Sequence, residues 1–266
     1  MMRFIFVILA LFVCSTQIAL CQQYKLLQTE LYGMQVYGGF LSTSYAADFT
    51  DFSGTVSCDK FTSGLGNGLT AGFQFELPVS NAISMVGGLG FHDRSGTLQT
   101  NSSFPIRYTS SSNGFTQVVM EQSIATSMKF LESQFDARYI VLERYSYAIR
   151  VLGGIRIGFP INGSFTQQAT IISPDNAGFI VNNQVVQQRT LSSGEITSFA
   201  GLQAGGVVGL EPMIRISPSM HLTGSIQYDI PFSSAFNDAN LNIAGLRAQC
   251  GIRYSIRTFA PSPITP

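Results

Sequence analysis

The run Ser219-Met220-His221-Leu222-Thr223-Gly224-Ser225-Ile226-Gln227-Tyr228-Asp229-Ile230-Pro231-Phe232 sets Met220, Leu222, Ile226, Tyr228, Ile230 and Phe232 at even positions, with His221, Thr223, Ser225, Gln227 and Asp229 between them. A period of two puts the two sets on opposite faces of a β-strand. Working outward, the same alternation recurs in seven further segments. Leu69, Ala71, Phe73, Phe75 and Leu77 oppose Gln74 and Glu76. Leu131, Phe135, Ala137, Tyr139 and Val141 oppose Glu132, Gln134, Asp136 and Arg138. With the first run included, eight strands are predicted, over 32 to 43, 67 to 78, 82 to 93, 129 to 142, 147 to 161, 200 to 214, 218 to 232 and 243 to 258. Each reaches the roughly 9 to 11 residues that a tilted strand needs to cross a bilayer.

Composition narrows the setting. The 266 residues are 45% hydrophobic and 11% charged, against roughly 25% charged in an average soluble domain. Fifteen Lys and Arg balance fifteen Asp and Glu. No basic field exists to hold nucleic acid. A soluble β-sandwich also alternates, but its polar face meets water and should be rich in Lys and Glu. Here the polar face is mostly Gly, Ser, Thr, Gln and single charges, as suits the inside of a barrel whose apolar side faces lipid.

The amino terminus has the three-part form of a secretory signal: Met1-Met2-Arg3, the apolar run Phe4 to Val13, then small and polar residues. Cleavage after Cys21 is expected; an uncleaved anchor and a lipoprotein cut before Cys21 are the alternatives. The expected organisation is a signal over 1–21, a barrel over 22–259 and a Pro-rich tail over 260–266. Of the four cysteines, only Cys58 and Cys250 lie beyond the signal. With no CxxC or neighbouring histidine they form neither a zinc site nor a disulfide scaffold; Cys58 reads as a loop residue and Cys250 as an ordinary apolar one.

The expected connections alternate in length. Tight links lie at 79 to 81, 143 to 146 and 215 to 217; long ones lie at 44 to 66, 94 to 128 and 162 to 199, with a smaller one at 233 to 242. A short helix is expected over Gln117 to Ser127. Short turns at one rim and long loops at the other are the layout of an outer-membrane barrel. Strands crossing lipid must close on themselves to leave no edge, and an even count of eight allows that.

These residues resemble the outer-membrane β-barrel domain proteins of Gram-negative bacteria, including the small eight-stranded type. The resemblance rests on the signal ending before Gln22-Gln23, the Gly-rich hairpins around Gly72 to Gly90 and Gly153 to Gly158, and the last strand. There Gln249-x-Gly251-x-x-Tyr254-x-Ile256 is similar to the family's C-terminal assembly signal, although such chains usually stop at an aromatic residue and this one continues past Phe259. The resemblance implies a closed eight-stranded antiparallel transmembrane barrel in the outer membrane, with short periplasmic turns and long extracellular loops. It implies outer-membrane lipid, the barrel assembly machinery and an extracellular ligand at the loops as partners. No nucleic-acid partner, cofactor or metal is expected.

Candidate chemistry concentrates on the polar face, which carries Glu76, Glu132, Asp136, Arg138, Arg150, Arg156, Glu211, Asp229, Arg247, Arg253 and Arg257. Side chains fill the interior of an eight-stranded barrel, and buried charges need partners. This set is read either as a salt-bridged plug or as a selectivity ring in a conducting pore. His221, with Thr223 and Glu211, is vaguely similar to the histidine and serine of outer-membrane lipid A deacylases; the plainer reading is a satisfied lumen histidine, as for His92, and no enzyme is expected. Asp48, Asp51 and Asp59 are too scattered for the six to eight oxygens calcium wants. Tyr32, Tyr37, Phe91, Tyr139, Tyr145, Tyr147, Phe159, Phe232 and Tyr254 are candidates for interfacial aromatic girdles. The expected role is structural or interactive, with small-solute transport and lipid modification as rivals.

Overall fold

A computed structural model describes residues 28–52, 55–107, 115–175, 177–237 and 240–259. The expected signal over 1–21 and tail over 260–266 lie outside them. In chain order the strands are β1 (Gln28–Phe52), β2 (Thr55–Pro78), β3 (Ile83–Asp93), β4 (Gly96–Arg107), β5 (Phe115–Glu143), β6 (Tyr147–Ser173), β7 (Phe179–Val181), β8 (Gln184–Val186), β9 (Gln188–Glu195), β10 (Gln203–Arg215), β11 (Met220–Pro231) and β12 (Asn240–Phe259). All pairings are antiparallel. The ladder runs β1, β2, β3, β5, β6, β10, β11, β12 and back to β1. This is a closed ring of eight, so no edge is left to lipid.

Tight turns join the strands at the rim that also carries both ends of the described chain. Val79 and Ser80 donate to the Ile83 carbonyl at 2.9 and 3.0 Å, and Arg144 N donates to Tyr147 O at 2.8 Å. Ser80 Oγ accepts from Ile83 N at 3.0 Å, and Ser217 Oγ from Met220 N at 3.1 Å. These are the periplasmic turns the sequence predicts.

At the other rim the strands run well past their predicted ends. β1 and β2 occupy nearly all of the expected loop at 44 to 66, so Cys58 lies in a strand and not in a loop. β4 continues the line of β3, pairing with β5 from Gly96↔Thr126 to Arg107↔Phe115. The predicted helix over 117 to 127 is therefore strand, held by β4 on one side and β6 on the other. Its Val, Ile and Thr residues favour that outcome. β10 and β11 stop lower than their neighbours. There the wall is completed by irregular chain, with Ile196 N donating to Gly163 O at 2.9 Å, Ala200 N to Ala235 O at 3.0 Å and Ala235 N to Leu241 O at 2.7 Å. Above this point β6 pairs with β9, and β7 with β8 forms a separate hairpin.

The two halves of the barrel are inside out with respect to each other. In the periplasmic half, Val36, Phe40, Phe73, Phe135, Ile155, Leu210, Ile226 and Leu246 are exposed, while Gln, Arg, Asp and Glu are buried. In the extracellular half the buried side chains include Tyr45, Phe49, Phe61, Leu98, Ile124, Met128, Phe130, Phe165, Leu241 and Ile243, which form one cluster, with Thr43, Ser102, Gln122, Thr126 and Gln167 also buried. The outer wall there carries Ser42, Ser44, Gln117, Ser164 and Asn240. Each strand keeps its pleat or passes through a bulge, but the apolar set changes face where the surroundings change from hydrocarbon to water. Lys129 and Asp93, opposite each other in the β3–β5 register, mark that level, where charge on the wall is tolerated.

Candidate functional site

The lumen is the part of the molecule where charge, burial and geometry converge, because period two turns every second residue of all eight strands into it. Glu76, Glu132, Asp136, Arg138, Arg150, Arg156, Glu211, Asp229, Arg247 and Arg253 are all buried, none more than 5% exposed. Arg257 lies in β12, and its side chain is outside the described set.

These charges form two groups joined by amides. Nearest the periplasm, Arg150 bridges Glu76 Oε1 at 2.6 Å and Glu211 Oε1. Arg253 Nε meets Glu76 Oε2 at 2.8 Å, and Arg138 pairs with Asp136 at 3.0 Å and Glu211 Oε2 at 2.7 Å. Three arginines thus face three carboxylates. Above them lies a belt of glutamines. Arg138 Nη2 donates to Gln74 Oε1 at 2.5 Å, Gln134 Nε2 donates to Asp136 Oδ1 at 2.8 Å, and Gln227 Nε2 donates to Gln249 Oε1 at 3.2 Å. The upper group is Asp229, held by Arg247 Nε at 2.9 and 3.0 Å and by Arg247 Nη2, with Glu132, Arg156 and Arg94. Arg247 Nη1 reaches down to Gln134 Oε1 at 3.3 Å, which ties the groups together.

Arg94 escapes the sequence reading, which leaves it in a long loop. It is fully buried, and its Nη2 lies 2.5 Å from Glu132 Oε1 and 3.2 Å from Asp229 Oδ2. Its other face looks to the apolar layer, with the guanidinium carbon 5.8 Å from the centre of the Phe130 ring. Tyr45 Oη donates to its carbonyl at 2.5 Å. Arg94 is thus the seam between the two layers. It lies between β3 and β4 but continues the inward parity of Val86 and His92, and that parity is the signal in the sequence.

The other candidates are placed as follows. His92 Nδ1 lies 3.0 Å from Thr70 Oγ1, and its Nε2 lies 3.7 Å from Glu132. His221 and Thr223 are both buried in the lumen, and the Thr223 hydroxyl accepts from Gln35 Nε2 at 2.9 Å. The hydroxyl is engaged, away from any lipid. Asp48 pairs with Lys60 at 2.9 Å on the surface; the side chains of Asp51 and Asp59 are outside the described set. Among the described residues no group of three His, Cys, Asp or Glu could hold a metal. Tyr145, Tyr147, Phe159, Phe232, Phe91 and Tyr254 are exposed on the outer wall, and Tyr32 and Tyr139 are half-buried. Tyr37 is not a girdle residue. It is buried in the lumen, seated where Gly72 and Gly90 leave space: a Cβ on Gly72 would stand 2.6 Å from its hydroxyl. Cys250 is a free cysteine exposed on the outer wall.

Residues 28–237 match the family described as "Outer membrane protein beta-barrel domain". The chain belongs to that family. It is an all-β protein of the bacterial cell outer membrane, and the match runs from β1 to just before β12. Among solved structures, Neisserial surface protein A is 10% identical, covering 85% of this chain and 97% of its own, with a TM-score of 0.40. Ail, the attachment invasion locus protein of Yersinia pestis, is 11% identical over 84% and 99%, at 0.33. The outer membrane protease OmpT from Escherichia coli is 9% identical over 88% and 99%, at 0.40. No curated protein gives a significant match.

As a member of this family the barrel presents its exposed apolar wall to outer-membrane hydrocarbon. Its interior does two different jobs: charges and amides fill it at membrane depth, and a dry apolar cluster fills it above.

Proposed function

We propose that this outer-membrane barrel is a closed, non-catalytic scaffold that holds a β-structured crown above the membrane as a contact surface. The observation that carries this reading is the doubly filled lumen. A path along the axis would have to part the Arg–carboxylate groups and then the Tyr45, Phe61, Leu98, Ile124 and Met128 cluster. Apolar constrictions of this kind stop ions by dewetting.

The crown supplies what a contact surface needs. Its outer wall is polar, and the β7–β8 hairpin turns through Asn182 and Asn183, both in the left-handed region, the turn geometry that suits a two-residue hairpin. Beside that turn, Ile180 and Val185 face each other in register at 77% and 70% exposure. An apolar pair held out in water on a rigid hairpin suits an extracellular protein ligand. Outer-membrane lipid is the partner of the exposed band. Gln249, Gly251, Tyr254 and Ile256 are the residues we assign to recognition by the barrel assembly machinery, with Tyr254 half-exposed on the lipid face and Gln249 buried.

Planar-bilayer recording tests the closed scaffold. Refolded protein is expected to give no stable single-channel steps. Reproducible steps that survive repurification would replace this reading with small-solute transport.

A further inference from the structure

Among the described side chains, which leave out Arg257, the charge count of the lumen differs between its two groups. Near the periplasm Arg138, Arg150 and Arg253 meet Glu76, Asp136 and Glu211, three against three. In the upper group Arg94, Arg156 and Arg247 meet only Glu132 and Asp229. His92 can add positive charge there but cannot remove it. Asp93, next to Arg94 in the chain, is not inside this group: its Oδ1 accepts from Ser95 N at 3.0 Å and Ser95 Oγ at 2.5 Å.

The hydrogen-bond balance is poorest at the same place, with three unmatched arginine donors against one, Nε of Arg150, in the lower group. Arg94 is fully buried, yet its Nε and Nη1 have no acceptor among the described residues, and Nε of Arg156 comes only to 3.7 Å from Asp229 Oδ1. Both guanidinium groups reach the same oxygen, Glu132 Oε1, at 2.5 Å for Arg94 and 3.3 Å for Arg156, so the unmatched donors sit close together. A buried unpaired charge opposes folding, and unsatisfied buried donors add to that. One added negative charge that accepts hydrogen bonds and is small enough to be enclosed would correct both deficits.

We propose that the upper lumen is an anion site, holding one small monovalent inorganic anion, chloride in ordinary media, against Nε and Nη1 of Arg94 with Arg156 beside it. The anion is enclosed as the barrel closes, because the apolar cluster seals the lumen above it. It acts as a structural counter-ion at the seam between the two layers. Glu132 Oε2, which lies 3.7 Å from both His92 Nε2 and Arg247 Nη2, repels the anion toward the Arg94 side.

The test is unfolding by urea of the full barrel in phosphatidylcholine vesicles, at constant ionic strength, with sodium chloride exchanged for sodium gluconate, whose anion is too large to be enclosed. Chloride is expected to stabilise saturably, raising the folded-to-unfolded ratio about 11-fold at ten times its dissociation constant. Bromide is expected to substitute for it. Arg94→Met, which removes the surplus charge, is expected to abolish the dependence. Equal stability in chloride and gluconate, or a chloride effect unchanged in Arg94→Met, would overturn the site. Should Arg94→Met fail to fold, anomalous diffraction from wild-type crystals grown in bromide decides. A bromide peak within hydrogen-bond distance of Arg94 supports the proposal, and water alone at that position overturns it.

Discussion

At the scale of single residues, the arginine and carboxylate pairs of the lumen are where a small change has the largest consequence. Asp229 is fully buried and takes two hydrogen bonds from Arg247 Nε, with Arg94 Nη2 at 3.2 Å. Replacing it by Asn leaves Glu132 as the one described carboxylate facing Arg94, Arg156 and Arg247. Breaking one partner of such a pair costs about 3–5 kcal/mol. Asp229→Asn is therefore expected to lower the unfolding free energy in vesicles by that order, and Asp229→Asn with Arg247→Met to recover part of it. A double variant no better than the single one would show that the pair does not act as a unit. These partners were legible in the sequence to the extent that period two sent ten of the eleven named charges into one lumen. Which acid met which arginine was not legible, because partners such as Arg253 and Glu76 are set by barrel closure and not by spacing along the chain.

At the scale of the strand, β5 shows both what alternation reveals and where it misleads. Between 131 and 141 the odd positions, Ser133 apart, are apolar and face outward, as the alternation predicts. From 118 to 130 the even positions Val118, Ile124, Met128 and Phe130 are apolar and face inward. The apolar phase slips by one at Phe130-Leu131 while the backbone parity does not change. A slip of phase looks like the end of the pattern, which is why a loop with a short helix was expected over this stretch. β1 does the same between Phe40 and Leu41. The physical reason is that a strand leaving hydrocarbon for water must move its apolar side chains from the wall to the interior. The two halves should then respond oppositely to charge. Phe135→Arg, on the lipid wall, is expected to destabilise the barrel by about 2–4 kcal/mol. Ser123→Arg, on the crown wall of the same strand, is expected to stay within about 0.5 kcal/mol of wild type. Equal costs measured by urea titration in vesicles would contradict the inversion.

At the scale of the whole molecule, one ring of strands solves two burial problems in sequence. At membrane depth the apolar wall rests in lipid and the polar groups satisfy one another inside. Above it the same strands form a water-facing barrel with a largely apolar core, in which each fully buried Leu, Ile or Phe contributes about 1.5–3 kcal/mol relative to exposure. That second core explains why the long connections are strands: paired backbone and a buried face hold them in place where free loops would not be held. It also accounts for the low charge of the chain, since water is met by Ser, Thr, Asn and Gln on the crown as much as by ions. The closed ring and its outer-membrane setting were legible from alternation, strand length and turn spacing. The crown was not, since its signal is the same alternation with the opposite sign.

The inversion is the central claim, and a nitroxide scan along the outward positions of β5 tests it most directly. Single cysteines would be placed at 117, 121, 123, 125, 127, 131, 133, 135, 137 and 141 in a Cys58→Ser, Cys250→Ser background and spin-labelled in vesicles. Collision rates with oxygen, which partitions into lipid, and with a water-soluble nickel chelate would then be compared at each site. The expected result is chelate access at 117 to 127, oxygen access at 131 to 141, and a crossover at the level of Lys129. Chelate access along the whole strand, or oxygen access along the whole strand, would contradict the account.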